Sequence, residues 1–401
     1  MITRIASEQL RVGMFIHHLE CGWMDHPFLV NQFKITRQDE IDKILQHGIY
    51  RVSIDTSRGL DLPDEEAYAT AYLDLELEAE DVARAVDPPV KHVPLSEEIR
   101  SAKLVLTEAN ALMADVMTDV RLGRAVELER LEPVVEKLIQ SVLRNPGALS
   151  CLGRVRQKDQ YTFEHSVNVS VLLVHFCNHM GLNRRTIRDA AIGGLLHDVG
   201  KVNTPDAILN KPAPLSDDEF ARIRDHVGQG VDIVSAIPGI SDISLTIVAQ
   251  HHEHMDGGGY PAGLKGDQIT QLGQMAAIVD VYEALTSNRS YRPAMEPSQA
   301  LQRIFGWSQQ QFNNELVQRF IQCVGIYPVG SLVMLESGML AIVVEATPGN
   351  LLRPTVRMVL DSRRDLIVTP RDVNLAKPQV KDRIISSESA SKWKINMGLY
   401  I

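Results

Sequence analysis

Between residues 165 and 280 the chain places histidines and acids where they could share an ion: His165, His197-Asp198, His226, His251-His252 and Asp280. Each falls in or at the end of a different apolar stretch of helical spacing. Metal sites of helical domains are built this way, from inward side chains of facing helices. Imidazole plus carboxylate suits Fe, Mn, Zn or Ni without choosing among them. Seven ligands are too many for one cation and fit two. A carboxylate has two oxygens, so Asp198 is assigned to bridge. His165, His197 and Asp280 would complete one site, and His226, His251 and His252 the other. Two cations about 3.5–4 Å apart can activate a water and stabilise both the attacking and the leaving oxygen at phosphorus.

Any one histidine alone is better read as packed or capped. His175 and His179 share a helix with His165 but lie about 15 and 21 Å along it, so they read as structural. His17, His18, His26 and His47 fall in another part of the chain and are given no catalytic role. The string HHEHMDGGGYPAGL, residues 251–264, is harder to explain by packing. Two imidazoles at a helix end aim at one ion, and the glycines let backbone approach a bulky ligand or take positive φ. Tyr260 could stack on a base or touch a phosphate, with Pro261 stiffening the exit. In SNRSYRP, Arg289 and Arg292 lie three apart, and guanidinium forks suit phosphate oxygens.

These residues need elements to hold them. From 155 to 324 the pattern predicts five or more helices joined by short loops, an all-α core. Residues 96–144 are strongly helix-forming, with Leu104, Leu112, Val116, Val120, Leu128, Leu131, Val135, Leu138 and Val142 at helical spacing and NPG at 145–147 as the stop. The fold class is therefore mainly α, with a small β-rich module at 1–60, an acidic, proline-ended linker at 61–95, a catalytic helical domain at 96–324 and a small β module at 325–401.

Composition narrows the partners. The net charge of -10 over 401 residues argues against a nucleic-acid polymer, which needs a basic surface. Cys21, Cys151, Cys177 and Cys323 form no CxxC pair and read as reduced thiols. No signal peptide and no apolar run of membrane-spanning length is present, so a cytoplasmic protein is expected.

Together these residues resemble the HD-GYP family, a branch of the HD superfamily of metal-dependent phosphohydrolases. The family pattern stands here as His165, HDVGK (197–201), His226, HHEHMDGGGYP (251–261) and Asp280. Residues 1–60 resemble the small domain of unknown function that often precedes such domains, through LRVGMFI, WMDHPF and GIYRVSID. The resemblance implies a bacterial signalling enzyme that hydrolyses cyclic di-GMP to pGpG and GMP through a hydroxide activated by two metals. It implies that Lys201 contacts the scissile phosphate or leaving group, that Gly259 and Tyr260 touch the dinucleotide, and that Arg289 and Arg292 hold phosphates. It implies two divalent cations, Fe or Mn ahead of Zn or Ni. A third metal in some members uses a Glu where this chain has Tyr161, so two are expected. Many members carry Asp where this chain has Glu283, read here as a partner of Lys201.

Two rival readings are a cyclic-dinucleotide receptor or adaptor with little catalysis, and a hydrolase of another cyclic dinucleotide such as cyclic GMP-AMP. Diguanylate cyclase (GGDEF) proteins binding the Gly-Tyr-Pro loop, and a homodimer, are expected partners. For the N-terminal module, regulation or oligomerisation is expected.

Overall fold

The computed structural model describes the chain except residues 1, 8–9, 20–31, 47–50, 61–89, 156–160, 210, 212, 214, 288–293, 309 and 348–349. Contacts divide it into two units, Met1–Val86 and Asp87–Ile401.

Among the described residues the first unit is a four-stranded antiparallel sheet with one helix. Its elements are β1 (Ile2–Ala6), β2 (Phe15–His18), β3 (Phe33–Lys34), α1 (Gln38–Gln46) and β4 (Arg51–Asp55), in sheet order β1-β4-β2-β3. Val52 and Ile54, two apart, share a face of β4, while Ile41 and Ile44, three apart, share a face of α1. All four are buried in one core with Ile5, Met14 and Ile16. WMDHPF, residues 23–28, lies outside the described residues.

The second unit opens with α2 (Leu95–Arg121) and α3 (Leu128–Arg144). The buried stripe of α2 is Ala102, Val105, Leu106, Ala109, Met113, Val116 and Met117. Leu104, counted in the apolar stripe, is instead 70% exposed, because it sits about 160° around the helix from Ala102 and Leu106, which face inward. Asn145 is extended and ends α3. Pro146 then opens a new helix, α4 (Pro146–Val155), since the first turn needs no N–H from it.

The helices that carry the chemistry follow: α5 (Tyr161–His179), α6 (Arg184–Leu196), a 3-10 turn at Val199–Asn203, α7 (Asp206–Leu209), α8 (Asp217–Arg224), α9 (His226–Ser235), α10 (Asp242–Gln250), α11 (Gln271–Thr286), α12 (Pro297–Trp307) and α13 (Asn314–Val324). Their starts are capped by side chains: Asn183 accepts from Thr186 N, Ser241 from Ser244 N and Thr270 from Gly273 N. α11 is buried along nearly its whole length, so the helix that carries Asp280 runs through the core.

The chain ends in an antiparallel sheet of order β8-β7-β6-β5-β9, formed by β5 (Leu332–Leu335), β6 (Met339–Glu345), β7 (Thr355–Asp361), β8 (Leu366–Asn374) and β9 (Ile384–Glu388). Both faces are covered, one burying Val333, Ala341 and Val343, the other Leu332, Leu340 and Ile342. Alternation within each strand places these sets on opposite sides. Cys151, Cys177 and Cys323 are buried, and Cys21 lies outside the described residues. Among the described residues no helix is long and apolar enough to cross a membrane.

Candidate metal centre

Helix ends do most of the placing. His165 lies in the first turns of α5, His197 caps α6, Asp198 leads into the 3-10 turn, His226 starts α9, His251 caps α10 and Asp280 projects from mid-α11. All six are buried, and His252 is half-buried. The ligand atoms of His165, His197 and Asp280 lie within 4.8 Å of one another, and so do those of Asp198, His226, His251 and His252. At Gly200 a side chain would meet the His226 carbonyl at 2.0 Å and Gly230 N at 2.6 Å. Only glycine lets the turn after Asp198 seat directly on α9.

The imidazoles are fixed from behind. His197 Nδ1 donates to the Gly194 carbonyl (2.8 Å), His226 Nδ1 to Ile223 (2.6 Å) and His251 Nδ1 to Val248 (2.9 Å). His165 Nδ1 donates to the Glu283 carboxylate. A carbonyl only accepts, so in the neutral rings the proton sits on Nδ1 and the Nε2 lone pair faces inward. Those lone pairs meet: His165 and His197 Nε2 are 3.2 Å apart, His226 and His251 Nε2 3.4 Å.

Carboxylate oxygens join them. Asp198 Oδ2 lies 3.5 Å from His165 Nε2 and 3.4 Å from His197 Nε2, while its Oδ1 lies 3.2 Å from His226 Nε2 and 3.9 Å from His251 Nε2. Asp280 Oδ1 is 3.0 Å from His165 Nε2. Among the described residues Asp198 Oδ1 finds no hydrogen-bond donor although it is buried. Inward-facing acceptors with too few protons are what a divalent cation neutralises, and back-side N–H donation to carbonyl or carboxylate is how metal-binding histidines are held. The residues present therefore fit metal ions.

The electrostatics agree. Burial alone would lower His165, but Glu283 and Asp280 outweigh it and push it up to about 10. Burial and the neighbouring imidazoles hold His251 well below the usual histidine range, and burial takes His252 down to about 3. Burial resists ionisation of Asp198 and Asp280, yet His197 with Lys201, and His165, hold them well below the carboxylate range. Positive charge is thus wanted near His165, and unprotonated imidazoles wait at His251 and His252.

Lys201 Nζ donates to Asp198 Oδ2 at 2.5 Å. Glu283, read from the sequence as a partner of Lys201, is instead the acceptor for His165. Its other oxygen accepts from Asn168 Nδ2 (3.1 Å) and Ser287 Oγ (2.5 Å). Glu283 and His165 face each other across α5 and α11, whereas Lys201 reaches the acid on its own turn. His175, on α5, is pushed by burial down to about 4 and lies away from both groups of donors.

The loop after His252 is internally built. Glu253, only 2% exposed, accepts from Ala262 N (2.7 Å) and Leu264 N (2.9 Å). A side chain at Gly259 would strike His254 N at 2.4 Å and Glu253 Cα at 2.5 Å, so this glycine is required by the loop's own packing, whatever ligand it meets. Gly257 does take positive φ, at 81°. The Tyr260 ring lies 4.6 Å from the His252 ring and carries the Arg224 guanidinium 4.6 Å above it. Burial, then the charges of Asp280 and Asp198, raise the Tyr260 hydroxyl pKa, so it stays protonated.

Arg289 and Arg292 lie outside the described residues. Sequence reasoning passed over Glu253, Asn168 and Arg224. Glu253 had a visible signal, an acid wedged between a histidine pair and a glycine loop. Asn168 and Arg224 had none, since their partners lie far along the chain.

Family models divide the chain near residue 132, inside the second unit rather than at its start. One family model, described as a domain of unknown function (DUF3391), matches residues 2–131, and another, described as HD domain, matches 133–316. The chain is 37% identical to cyclic di-GMP phosphodiesterase PA4108 of Pseudomonas aeruginosa over 98% of this chain and 94% of that protein. It is also 37% identical to 3'3'-cGAMP-specific phosphodiesterase 1 of Vibrio cholerae, over 37% of this chain and 34% of that one. Among solved structures, Bd1817, an HDG"Y"P protein from Bdellovibrio bacteriovorus, covers 80% of this chain and 98% of its own with a TM-score of 0.47 at 17% identity.

Proposed function

The chain belongs to the HD-GYP family of metal-dependent phosphohydrolases, and from that premise we propose that it hydrolyses cyclic di-GMP. One observation carries the reading: four imidazole Nε2 lone pairs and both oxygens of Asp198 converge with too few protons among them. His165, His197 and Asp280 would hold one divalent cation, His226, His251 and His252 a second, with Asp198 shared between them. Bound there, the cations would supply a nucleophile from water and neutralise charge at phosphorus.

The chain's own groups do the rest. Glu283 and the carbonyls of Gly194, Ile223 and Val248 hold the imidazoles in one tautomer and orientation. Lys201, already beside Asp198, would stabilise the leaving 3′-oxygen. Gly259, Tyr260, Arg289 and Arg292 contact the dinucleotide. Iron or manganese occupancy, docking of a diguanylate cyclase on the Gly-Tyr-Pro loop, a homodimer, a cytoplasmic setting and a regulatory module at 1–60 joined by a linker at 61–95 to domains at 96–324 and 325–401 belong to the same proposal.

The test is chromatography of pGpG and GMP formed from cyclic di-GMP with Mn or Fe(II) supplied, and again after chelation. Hydrolysis that needs metal is expected. Tight binding without product would favour a receptor, and faster turnover of cyclic GMP-AMP would reassign the substrate.

A further inference from the structure

Beside the metal donors sits a platform in which Tyr260 has a role above but Phe220 and Arg224 have none. α8 begins with a capping box between Ser216 and Glu219 and carries Phe220 and Arg224 four apart, hence on one face. The Arg224 guanidinium lies 4.6 Å over the Tyr260 ring and 5.5 Å from the Phe220 ring. Phe220 and Tyr260 meet edge to face at 6.4 Å, and Phe220 is 46% exposed. Among the described residues the Arg224 side chain makes no ion pair and no hydrogen bond, only its two ring contacts. Tyr260 abuts His252, so this platform borders the metal donors on the side of the second group.

An arginine held over one ring beside an exposed second ring, with no carboxylate partner among the described residues, suits a planar, acceptor-rich partner. We propose that Phe220, Arg224 and Tyr260 form a guanine-binding subsite in which Arg224 reads O6 and N7 of one base while Phe220 stacks on it. The inference rests on the dinucleotide reading above and adds its base specificity. Guanine offers two acceptors to a guanidinium fork; adenine sets an N6 donor against it. Exposed aromatic rings hold bases through their faces. A phosphate would need the fork but not the exposed ring, and the phosphates already have Lys201 and the metal donors.

The test compares wild type, Arg224→Ala and Arg224→Lys on cyclic di-GMP, cyclic di-AMP and bis(p-nitrophenyl) phosphate, which has a phosphodiester and no base. In both variants kcat/KM for cyclic di-GMP should fall about tenfold to 100-fold, mainly through KM, and by at least about tenfold more than for the other two substrates. Lysine keeps the charge but lacks the fork, so it should not rescue. Equal losses on all three substrates, or rescue by lysine, would assign Arg224 to phosphate or to structure and overturn the subsite. A second arm measures GMP and AMP affinity by calorimetry on metal-stripped protein. Preference for GMP that Arg224→Ala removes supports the subsite even if wild type fails to hydrolyse cyclic di-GMP, which would sink the substrate reading alone. No preference in wild type overturns the subsite.

Discussion

Two polar clusters are buried in the helical unit, and they are built on opposite principles. Between α2 and α3, Glu98 accepts from Ser141 Oγ (2.7 Å) and from Arg144 Nη2 (2.8 Å) and Nε (2.6 Å). Its charge is matched by one guanidinium, and each of its oxygens has a donor. Around Asp198 the count fails: imidazole lone pairs face one another and a buried carboxylate oxygen has no donor. The first cluster is closed and needs nothing further. The second is complete only with added cations. Burial of charge does not by itself mark a functional site; a surplus of acceptors aimed at one volume does.

The contrast can be broken most severely at Asp198. Asp198→Ala should lower cyclic di-GMP hydrolysis by about 1,000-fold or more, roughly 4 kcal/mol of lost transition-state stabilisation, while circular dichroism shows the fold retained. Unaltered turnover would end the metal mechanism. Next, Glu98→Ala removes the acceptor of Ser141 and Arg144 and should cost about 1–3 kcal/mol of stability in denaturant unfolding. Metal content per chain should not change; if it did, the two clusters would not be independent. A smaller effect is expected from Glu283→Gln, which weakens the acceptor behind His165. Metal affinity by competition with a chelating dye should drop about tenfold to 100-fold. Smallest is an acid effect at Glu98. Although burial opposes it, Arg144 and Ser141 hold its carboxyl below the usual 4.5, so its contribution to stability is present above that pH and lost as pH falls through the folded value. Glu98→Gln should flatten this part of the stability profile, and an unchanged slope would show that the pair is not the titrating group.

Much of the site was legible because its donors sit at helix ends, where motif and periodicity coincide. His197-Asp198 and His251-His252 each follow an apolar helical run, so their convergence could be argued from spacing. Partners chosen by packing were not legible. Glu283 lies 118 positions from His165 and was read toward Lys201, because nothing in a linear string tells which neighbour a core carboxylate meets. Leu104 shows the matching failure in the scaffold. An apolar residue at near-helical spacing was counted inward, yet α2 turned it to solvent and filled the stripe with Ala102, Ala109 and Met113. Alanines carry little hydrophobic signal but permit close packing, so they win on geometry.

Glu253 limits how far the Gly-Tyr-Pro segment can move. Its two oxygens tie down Ala262 and Leu264 from inside the protein. Swinging that segment outward would abandon an anion in the interior, at a cost of several kcal/mol. The stretch thus behaves as a fixed doorpost.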